Sequence, residues 1–299
     1  MHVTTVVASD DGMNDSFVAD MMARAGKEGL VFSGWRWLRQ NRALDIFYDK
    51  HVDETKFFFR TFFKEKSVDI ISQHQGNRQK KAILADMEST LIQQEMLDEI
   101  AKALNAGEKI EAITAAAMQG KIDFREALHQ RIRLLAGAPA VLLQDLAATM
   151  TFHTGAKTLF DTMKKNGAEC WIVSGGFMYF IEKIGAQLGA HRCYGNELLM
   201  ADDKVVGELL EPVLGREAKR DIYRRAQVEL SISAADIVCV GDGANDLEML
   251  MECQENNGLA VAYYAKPVVK EKISTHINHT DLTTILYAQG YVFDQFAHA

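Results

Sequence analysis

The sequence predicts an α/β protein in which a Rossmann-like parallel sheet, carrying an inserted helical cap, follows a smaller α+β unit. Three short runs of continuously apolar residues, 82–85, 171–173 and 237–240, alternate with segments of helical periodicity. Such runs are typical of parallel strands that helices cover on both faces. Before them, residues 1 to about 75 follow the order β-α-β-β-α-β, which is the order of a ferredoxin-like sandwich.

The elements of the first unit follow from residue type and spacing. Runs of β-branched residues predict strands, and apolar residues three and four apart predict helices. The predicted strands are 3–8, 30–38, 43–48 and 68–71, and the predicted helices are 15–27 and 54–63. We interpret the polar segment 73–81 as a linker, so we expect one domain over 1–75 and another over 82–299.

The second unit contains a long helical pattern from about 97 to 150, which exceeds the length of a single crossover helix. We interpret it as a cap inserted between the first two buried strands. Further along the chain, the runs 198–200 and 205–206 flank Asp202 and Asp203, and this arrangement predicts a hairpin.

The composition limits the classes of function. The chain has 299 residues, of which 48% are hydrophobic and 25% charged, so it can bury a sizeable core. The formal net charge is −8 and the basic residues are scattered, which argues against a nucleic-acid partner. An anionic substrate would therefore need a local cation to offset the overall charge.

The cysteines and the apolar runs predict a cytoplasmic protein. None of the four cysteines lies in a CxxC pair, so we expect reduced thiols. The N-terminus lacks a basic segment followed by an apolar core, so we expect no signal peptide. No apolar run approaches the roughly 20 residues of a membrane helix, so we expect no membrane partner.

Polar residues follow each of the three buried strands at the point where the strand ends. They are the segments 86–90, 174–176 and 241–246. Each has an ordinary explanation when taken alone, as a turn or a helix cap. The carboxyl ends of parallel strands, however, meet at one edge of a sheet, where ligands bind. The three segments together therefore predict a site.

The acids among these residues suit a hard cation. Asp86, Glu88, Asp242 and Asp246 offer oxygen ligands without histidine or cysteine at ligand spacing, which favours Mg²⁺. Such an ion would also screen Asp86 from Glu88, two acids that would otherwise repel one another. A carboxylate beside Mg²⁺ is a known type of nucleophile toward phosphorus.

Donors for a phosphoryl group are present as well. The Ser174 hydroxyl and the backbone N–H groups of Gly175 and Gly176 can bind phosphoryl oxygens, and Lys219 can neutralise their charge. The residues thus indicate metal-assisted phosphoryl transfer through an aspartyl-phosphate.

Four strings of the sequence resemble the haloacid dehalogenase superfamily of phosphatases over about residues 82–285. They are DMESTLIQQEMLDEIA (86–101), MQGKIDFREALHQRIRLL (118–135), VSGGF (173–177) and GDGANDLEML (241–250). The first unit is similar only in kind to the extra, ACT-like domains that some members carry. The resemblance implies a Mg²⁺-dependent phosphatase with a small-molecule substrate, which we expect to be phosphoserine, hydrolysed in the last step of serine synthesis.

The resemblance also implies a role for each matching residue. Asp86 would be the nucleophile, and Glu88 the general acid and then base, with its backbone carbonyl on the metal. Asp242 and Asp246 would complete the metal site. The residues expected to bind the substrate are Ser174, Gly175, Lys219 and Asn245 at the phosphoryl group, Glu95 at the ammonium, Arg131 at the carboxylate, and Met118 and Phe124 as a cover.

One position departs from the family pattern. The family has aspartate two residues after the nucleophile, where this chain has Glu88. Glutamate keeps the carboxylate but is one methylene longer, and a displacement of about 1 Å can cost roughly a hundredfold in rate. We expect the surrounding site to have adjusted.

Two other functions stay open at this point. One is a phosphatase or phosphotransferase of the same superfamily that acts on another small phosphomonoester. The other is a catalytically impaired regulatory or binding protein, in which Glu88 marks lost activity. We also expect that the first unit can pair two chains as a homodimer.

Overall fold

A computed structural model of the chain describes residues 1–118 and 121–297. For Met118 and Phe124 it describes the backbone alone. The strands are β1 (His2–Ala8), β2 (Gly34–Arg39), β3 (Ala43–Tyr48), β4 (Val68–His74), β5 (Ala82–Ala85), β6 (Glu169–Phe177), β7 (Arg192–Asn196), β8 (Leu198–Ala201), β9 (Lys204–Leu209), β10 (Ile237–Gly241), β11 (Leu259–Tyr263) and β12 (His276–Ile277). The helices are α1 (Asp15–Lys27), α2 (Val52–Phe62), α3 (Met96–Ala103), α4 (Gly107–Met118), α5 (Phe124–Arg133), α6 (Ala140–Thr149), α7 (Ala156–Lys165), α8 (Met178–Leu188), α9 (Arg216–Leu230), α10 (Leu247–Glu255), α11 (Pro267–Lys270) and α12 (Thr284–Ala288).

The first four strands form an antiparallel sheet in the order β2-β3-β1-β4. The central strand β1 pairs with β3 on one side and with β4 on the other. Apolar residues of α1 and α2, among them Val18, Met21 and Phe59, pack with strand residues such as Val6 and Leu44 in one buried cluster. This arrangement confirms the predicted ferredoxin-like unit.

The second sheet has six parallel strands in the order β12-β11-β10-β5-β6-β7. The three strands predicted from sequence occupy its centre, with β5 between β10 and β6. Successive residues of β5 point to opposite faces, so Ile83 and Ala85 join one buried cluster, and Ala82 and Leu84 another. Burial on both faces explains why the run is continuously apolar.

The segment between β5 and β6 is helical, as predicted, and it is divided into α3, α4, α5 and α6 before α7 returns to the sheet. The hairpin of β8 and β9 is also confirmed. Its turn residues Asp202 and Asp203 have φ of 48° and 57°, the left-handed values that suit a two-residue hairpin loop.

The segment 73–81 differs from the solvated linker that its polarity predicts. Strand β4 continues to His74, and Arg78 and Lys80 are buried. The Arg78 guanidinium donates to both carboxylate oxygens of Asp45 at 2.8 Å and to the carbonyl oxygen of Ala288 at 3.1 Å. Arg78 therefore joins the first sheet to the second unit. Although Arg78 is polar, its side chain is buried.

A second contact joins the two units at the edge of the parallel sheet. The buried carboxylate of Asp69 in β4 accepts hydrogen bonds from the backbone N–H groups of Asn278, His279 and Thr280 at 2.8–3.1 Å. These residues directly follow β12. The first unit thus holds the edge strand of the second sheet.

All four cysteines are free thiols, as predicted, and Cys170, Cys239 and Cys253 are buried. Among the described residues, none of the helices is both long enough and apolar enough to cross a membrane.

We predict that Arg78→Met destabilises the protein by about 3 kcal/mol or more, because it leaves the buried Asp45 carboxylate short of its main partner. Urea unfolding followed by circular dichroism measures the change. Arg125→Met is the matched control, since Arg125 and Glu211 form an exposed ion pair whose loss should leave the unfolding midpoint nearly unchanged. Equal effects of the two substitutions would contradict the prediction.

Candidate active site

Asp86 lies immediately beyond β5, at the carboxyl end of the parallel sheet. Its backbone N–H still bonds to the Val240 carbonyl oxygen at 3.0 Å, so its main chain is fixed by the neighbouring strand. Its Oδ1 atom accepts from the Met87 N–H at 2.7 Å and from Lys219 Nζ at 2.9 Å. The carboxylate is buried and held in one orientation.

Asp242 and Asp246 come from the loop after β10, the next strand of the sheet. Carboxylate oxygens of Asp86, Asp242 and Asp246, called here the acidic trio, lie within 4.8 Å of one another. Gly241 permits this approach, because a Cβ atom there would lie 2.4 Å from Cγ of Asp246. The Gly243 N–H also donates to Asp246 Oδ2 at 3.0 Å, which fixes the loop.

Lys219 reaches the trio from α9. Its ammonium is 1% exposed and lies 2.6 Å from Asp246 Oδ1 and 2.9 Å from Asp86 Oδ1. Burial alone would lower the pKa of Lys219, but the adjacent carboxylates outweigh that effect and raise it. The lysine is therefore charged, and it orients two of the three acids.

One buried ammonium does not balance three buried carboxylates. Burial, and then the charge of Asp86, raise the pKa of Asp242 to about 6 and raise that of Asp246 as well. The remaining negative charge and the oxygen-only donor set fit a hard divalent cation such as Mg²⁺.

The Glu88 carboxylate is held by contacts other than those of the acidic trio. Its Oε1 atom accepts from the Met96 N–H, at the start of α3, at 2.8 Å. Its Oε2 atom lies against Gly176, where a Cβ atom would be only 2.7 Å away. Burial, followed by the nearby charge of Glu95, raises the pKa of Glu88 to about 8. The longer side chain is thus accommodated between a helix terminus and a glycine.

The predicted phosphoryl donors lie on β6, although not in a turn as the sequence suggested. The strand continues through 174–176 to Phe177, and its register with β7 shifts there. The Ser174 hydroxyl accepts from the Gly176 N–H at 3.0 Å, and Asn196 Nδ2 donates to the Gly175 carbonyl oxygen at 2.7 Å. From the β10 loop, Asn245 Nδ2 lies 3.5 Å from Asp86 Oδ2.

Two residues with the charges expected for a zwitterionic substrate also face this region. Glu95 Oε1 accepts from Ser89 Oγ at 2.7 Å, and burial raises the pKa of Glu95. The Arg131 side chain is half-buried, and burial lowers its pKa while Asp98, Glu95 and then Glu88 act to raise it. Met118 and Phe124 are the residues expected to cover the substrate, and their side chains lie outside the described part of the structure.

Two further residues of the site, Thr90 and Lys266, were not predicted from the sequence to be functional. Thr90 Oγ1 donates to Asp242 Oδ1 at 3.3 Å, and Lys266 Nζ lies 3.6 Å from Asp242 Oδ2. Lys266 follows β11, a fourth buried strand that directly neighbours β10. The rule that locates polar residues at strand ends would have found it, had the apolar run 259–263 been counted as a strand.

The fold brings three buried carboxylates together at the ends of parallel strands, and comparisons with known proteins identify the class of protein to which it belongs. The family model of the haloacid dehalogenase-like hydrolases matches residues 83–251, and the chain belongs to that family.

Among its relatives, the chain is 35% identical over 228 residues to phosphoserine phosphatase SerB2 of Mycobacterium tuberculosis, with 76% of this chain and 55% of that protein covered. The chain spans 51–62% of the length of three of its curated relatives.

Two solved structures are similar as well. A haloacid dehalogenase family hydrolase of Salmonella enterica serovar Typhi has a TM-score of 0.83 at 27% identity, with 98% of this chain and 99% of that chain covered. A phospho-aspartyl intermediate analogue of phosphoserine phosphatase has a TM-score of 0.63 at 36% identity, with 70% and 98% covered. The first similarity extends over both units of the fold. The second covers nearly all of the other chain but only 70% of this one.

We predict that Asp242→Asn stabilises the metal-free protein at neutral pH by about 1–3 kcal/mol. The folded-state pKa of Asp242, about 6, is above the usual 3.8, so ionisation of this acid destabilises the folded state. The cost grows as the pH rises from about 4 to about 6, and it is fully present at higher pH. The gain should vanish below roughly pH 3, where the acid is protonated in both states. Chemical unfolding in EDTA at several pH values measures it.

The matched control for this substitution is Asp202→Asn, in the exposed hairpin turn, which should change little at either pH. Added Mg²⁺ should stabilise the wild type and not Asp242→Asn. A variant less stable than the wild type at neutral pH in EDTA would contradict the prediction.

Proposed function

We propose that the chain hydrolyses O-phospho-L-serine to L-serine and phosphate through an aspartyl-phosphate on Asp86. The observation that carries the proposal is the convergence of the acidic trio and Lys219 at adjacent strand ends. The family membership and the relatives described as phosphoserine phosphatases support it.

The contacts of Asp86 support its proposed role as the nucleophile. The Met87 N–H and Lys219 bind its Oδ1 atom, and among the described residues Oδ2 makes only the long contact to Asn245. A new bond from this carboxylate to phosphorus would form as the bond from phosphorus to the serine oxygen breaks. Water would then attack the phosphorus, releasing phosphate and restoring the carboxylate.

The acidic trio and the backbone carbonyl of Glu88 are the groups that would hold Mg²⁺. When bound, Mg²⁺ supplies the positive charge that screens the carboxylates from the phosphate and stabilises charge developing on its oxygens. Lys219 would stabilise the same charge, because its ammonium already bridges Asp86 and Asp246.

Glu88 is the group proposed to move the proton. Its raised pKa keeps a proton available at neutral pH for the departing serine oxygen. The resulting carboxylate would then take a proton from the attacking water. The contact with the Met96 N–H orients this side chain, and it compensates for the extra methylene.

The substrate's amino-acid part is proposed to lie between Glu95 and Arg131. The Glu95 carboxylate would bind the ammonium, and the Arg131 guanidinium would bind the carboxylate in a forked contact. Met118 and Phe124 would cover the substrate. These opposite charges favour phosphoserine over phosphomonoesters that are not zwitterionic.

The biological setting is part of the same proposal. The reaction would be the last step of serine synthesis and would take place in the cytoplasm, where free thiols are stable. Two chains would pair through the first unit, which occupies about residues 1–75. Its edge strand β2 exposes Trp35, a residue type that is enriched in protein interfaces.

We predict that Gly176→Ala lowers kcat for phosphoserine about tenfold or more in the wild-type background. The new methyl group would displace the Glu88 carboxylate, which lies 2.7 Å from the position of that Cβ atom. In a Glu88→Asp background the shorter acid leaves room, so the same substitution should cost less. Steady-state kinetics of the four proteins measure this coupling. An equal loss in both backgrounds would contradict it.

We predict that Arg131→Ala raises KM for phosphoserine roughly a hundredfold, the order expected when a charge-assisted contact to the substrate is lost. KM for para-nitrophenyl phosphate, which has no carboxylate, should change little. Arg133→Ala, at an exposed position of the same helix, is the control. Equal effects on both substrates would favour a phosphatase for another small ester, and no phosphate release from either substrate would favour a binding protein.

A further inference from the structure

Lys266 lies beside the acidic trio, and the mechanism proposed above does not use it. Its ammonium is 3.6 Å from Asp242 Oδ2, and its side chain is 63% exposed. Lys219 also pairs with the trio but is buried to 1% exposure. Among the described residues, the acidic trio therefore forms ion pairs with one exposed lysine, Lys266, and one buried lysine, Lys219.

The backbone around Lys266 is fixed in a way that places it there. The Lys266 N–H donates to the Asp242 carbonyl oxygen at 2.9 Å, so the two residues are joined by main chain as well as by charge. Two residues earlier, Tyr264 has a φ of 42°, which is costly for a residue of this type. Its N–H bonds to the Ile277 carbonyl oxygen at 2.8 Å. Strained backbone of this kind persists where its surroundings over-determine it, often at functional sites.

The charge of Lys266 acts on the mouth of the site. Lys266 is among the groups that hold down the pKa of Asp242 and of Glu95, two acids whose pKa burial raises. The chain as a whole carries a formal charge of −8, so a phosphate dianion approaches against both the overall field and the local carboxylates. An exposed ammonium at this position opposes both.

We propose that the exposed ammonium of Lys266 promotes capture of the phosphomonoester dianion and, through Asp242, weakens binding of the divalent cation. The proposal rests on the proposed function for the substrate and on the geometry at Asp242 for the metal. It predicts opposite effects on two ligands of opposite charge. A purely structural role would weaken binding of both.

The test compares Lys266→Gln, Lys266→Arg and the control Lys272→Gln, which removes the same charge from an exposed position on the same segment. In Lys266→Gln, kcat/KM for phosphoserine at low salt should fall about fivefold, the order of one unit charge at about 4 Å in a mostly aqueous setting. The deficit should shrink as salt rises. Lys266→Arg should restore most of the rate, and the control should match the wild type.

Calorimetric titration with Mg²⁺ alone supplies the second measurement, which does not depend on activity. Lys266→Gln should bind Mg²⁺ about two- to fivefold more tightly than the control, since a competing positive charge is gone. Weaker Mg²⁺ binding, or a kcat/KM within twofold of the control at low salt, would overturn the proposal.

Failure of the proposed function is distinguishable from failure of this inference. If the wild type releases no phosphate from phosphoserine, the proposed substrate is wrong. The rate comparison then uses para-nitrophenyl phosphate, and the Mg²⁺ titration applies unchanged.

Discussion

Three buried carboxylates share a single buried ammonium, and the chemistry of the protein depends on this imbalance. Lys219 bridges Asp86 and Asp246, and Asp242 stands outside that bridge with its pKa raised to about 6 by burial and by Asp86. Such a cluster is costly to fold, because each ionised acid lacks water and a full partner. The same deficit of positive charge suits a hard divalent cation such as Mg²⁺, which would also screen the carboxylates from an incoming phosphate.

The parallel sheet is what makes this arrangement possible. Strands β5 and β10 are neighbours, so the loops after them project Asp86 and Asp242 from the same edge, and β6 adds the donors of 174–176 on the other side of β5. The first unit contributes at a distance. Its Asp69 carboxylate binds the segment that follows β12. Strand β12 pairs with β11, and β11 is the strand that leads to Lys266. The two units are therefore bonded to one another through buried charges.

The sequence was sufficient for the parallel sheet and for the acidic cluster, because both depend on local patterns: continuous apolar runs, and polar residues where the runs end. It was insufficient at 73–81, where Arg78 and Lys80 are buried within a polar segment and Arg78 pairs with the distant residues Asp45 and Ala288. It also gave no sign of the anchoring of Glu88 by Met96 or of the proximity of Lys266 to Asp242. These contacts depend on how the secondary-structure elements pack against one another, which local sequence patterns do not determine.

The most direct measurement is to identify the phosphorylated atom. Wild type and Asp86→Asn are mixed with phosphoserine and Mg²⁺, quenched in acid within the first turnover, and digested for mass spectrometry. The account predicts a hydroxylamine-sensitive acyl phosphate on the wild-type peptide that contains Asp86, and none on the variant, whose phosphate release should be at least about a thousandfold slower. Release at an undiminished rate by Asp86→Asn, or a phosphoryl group trapped on another residue, would contradict it.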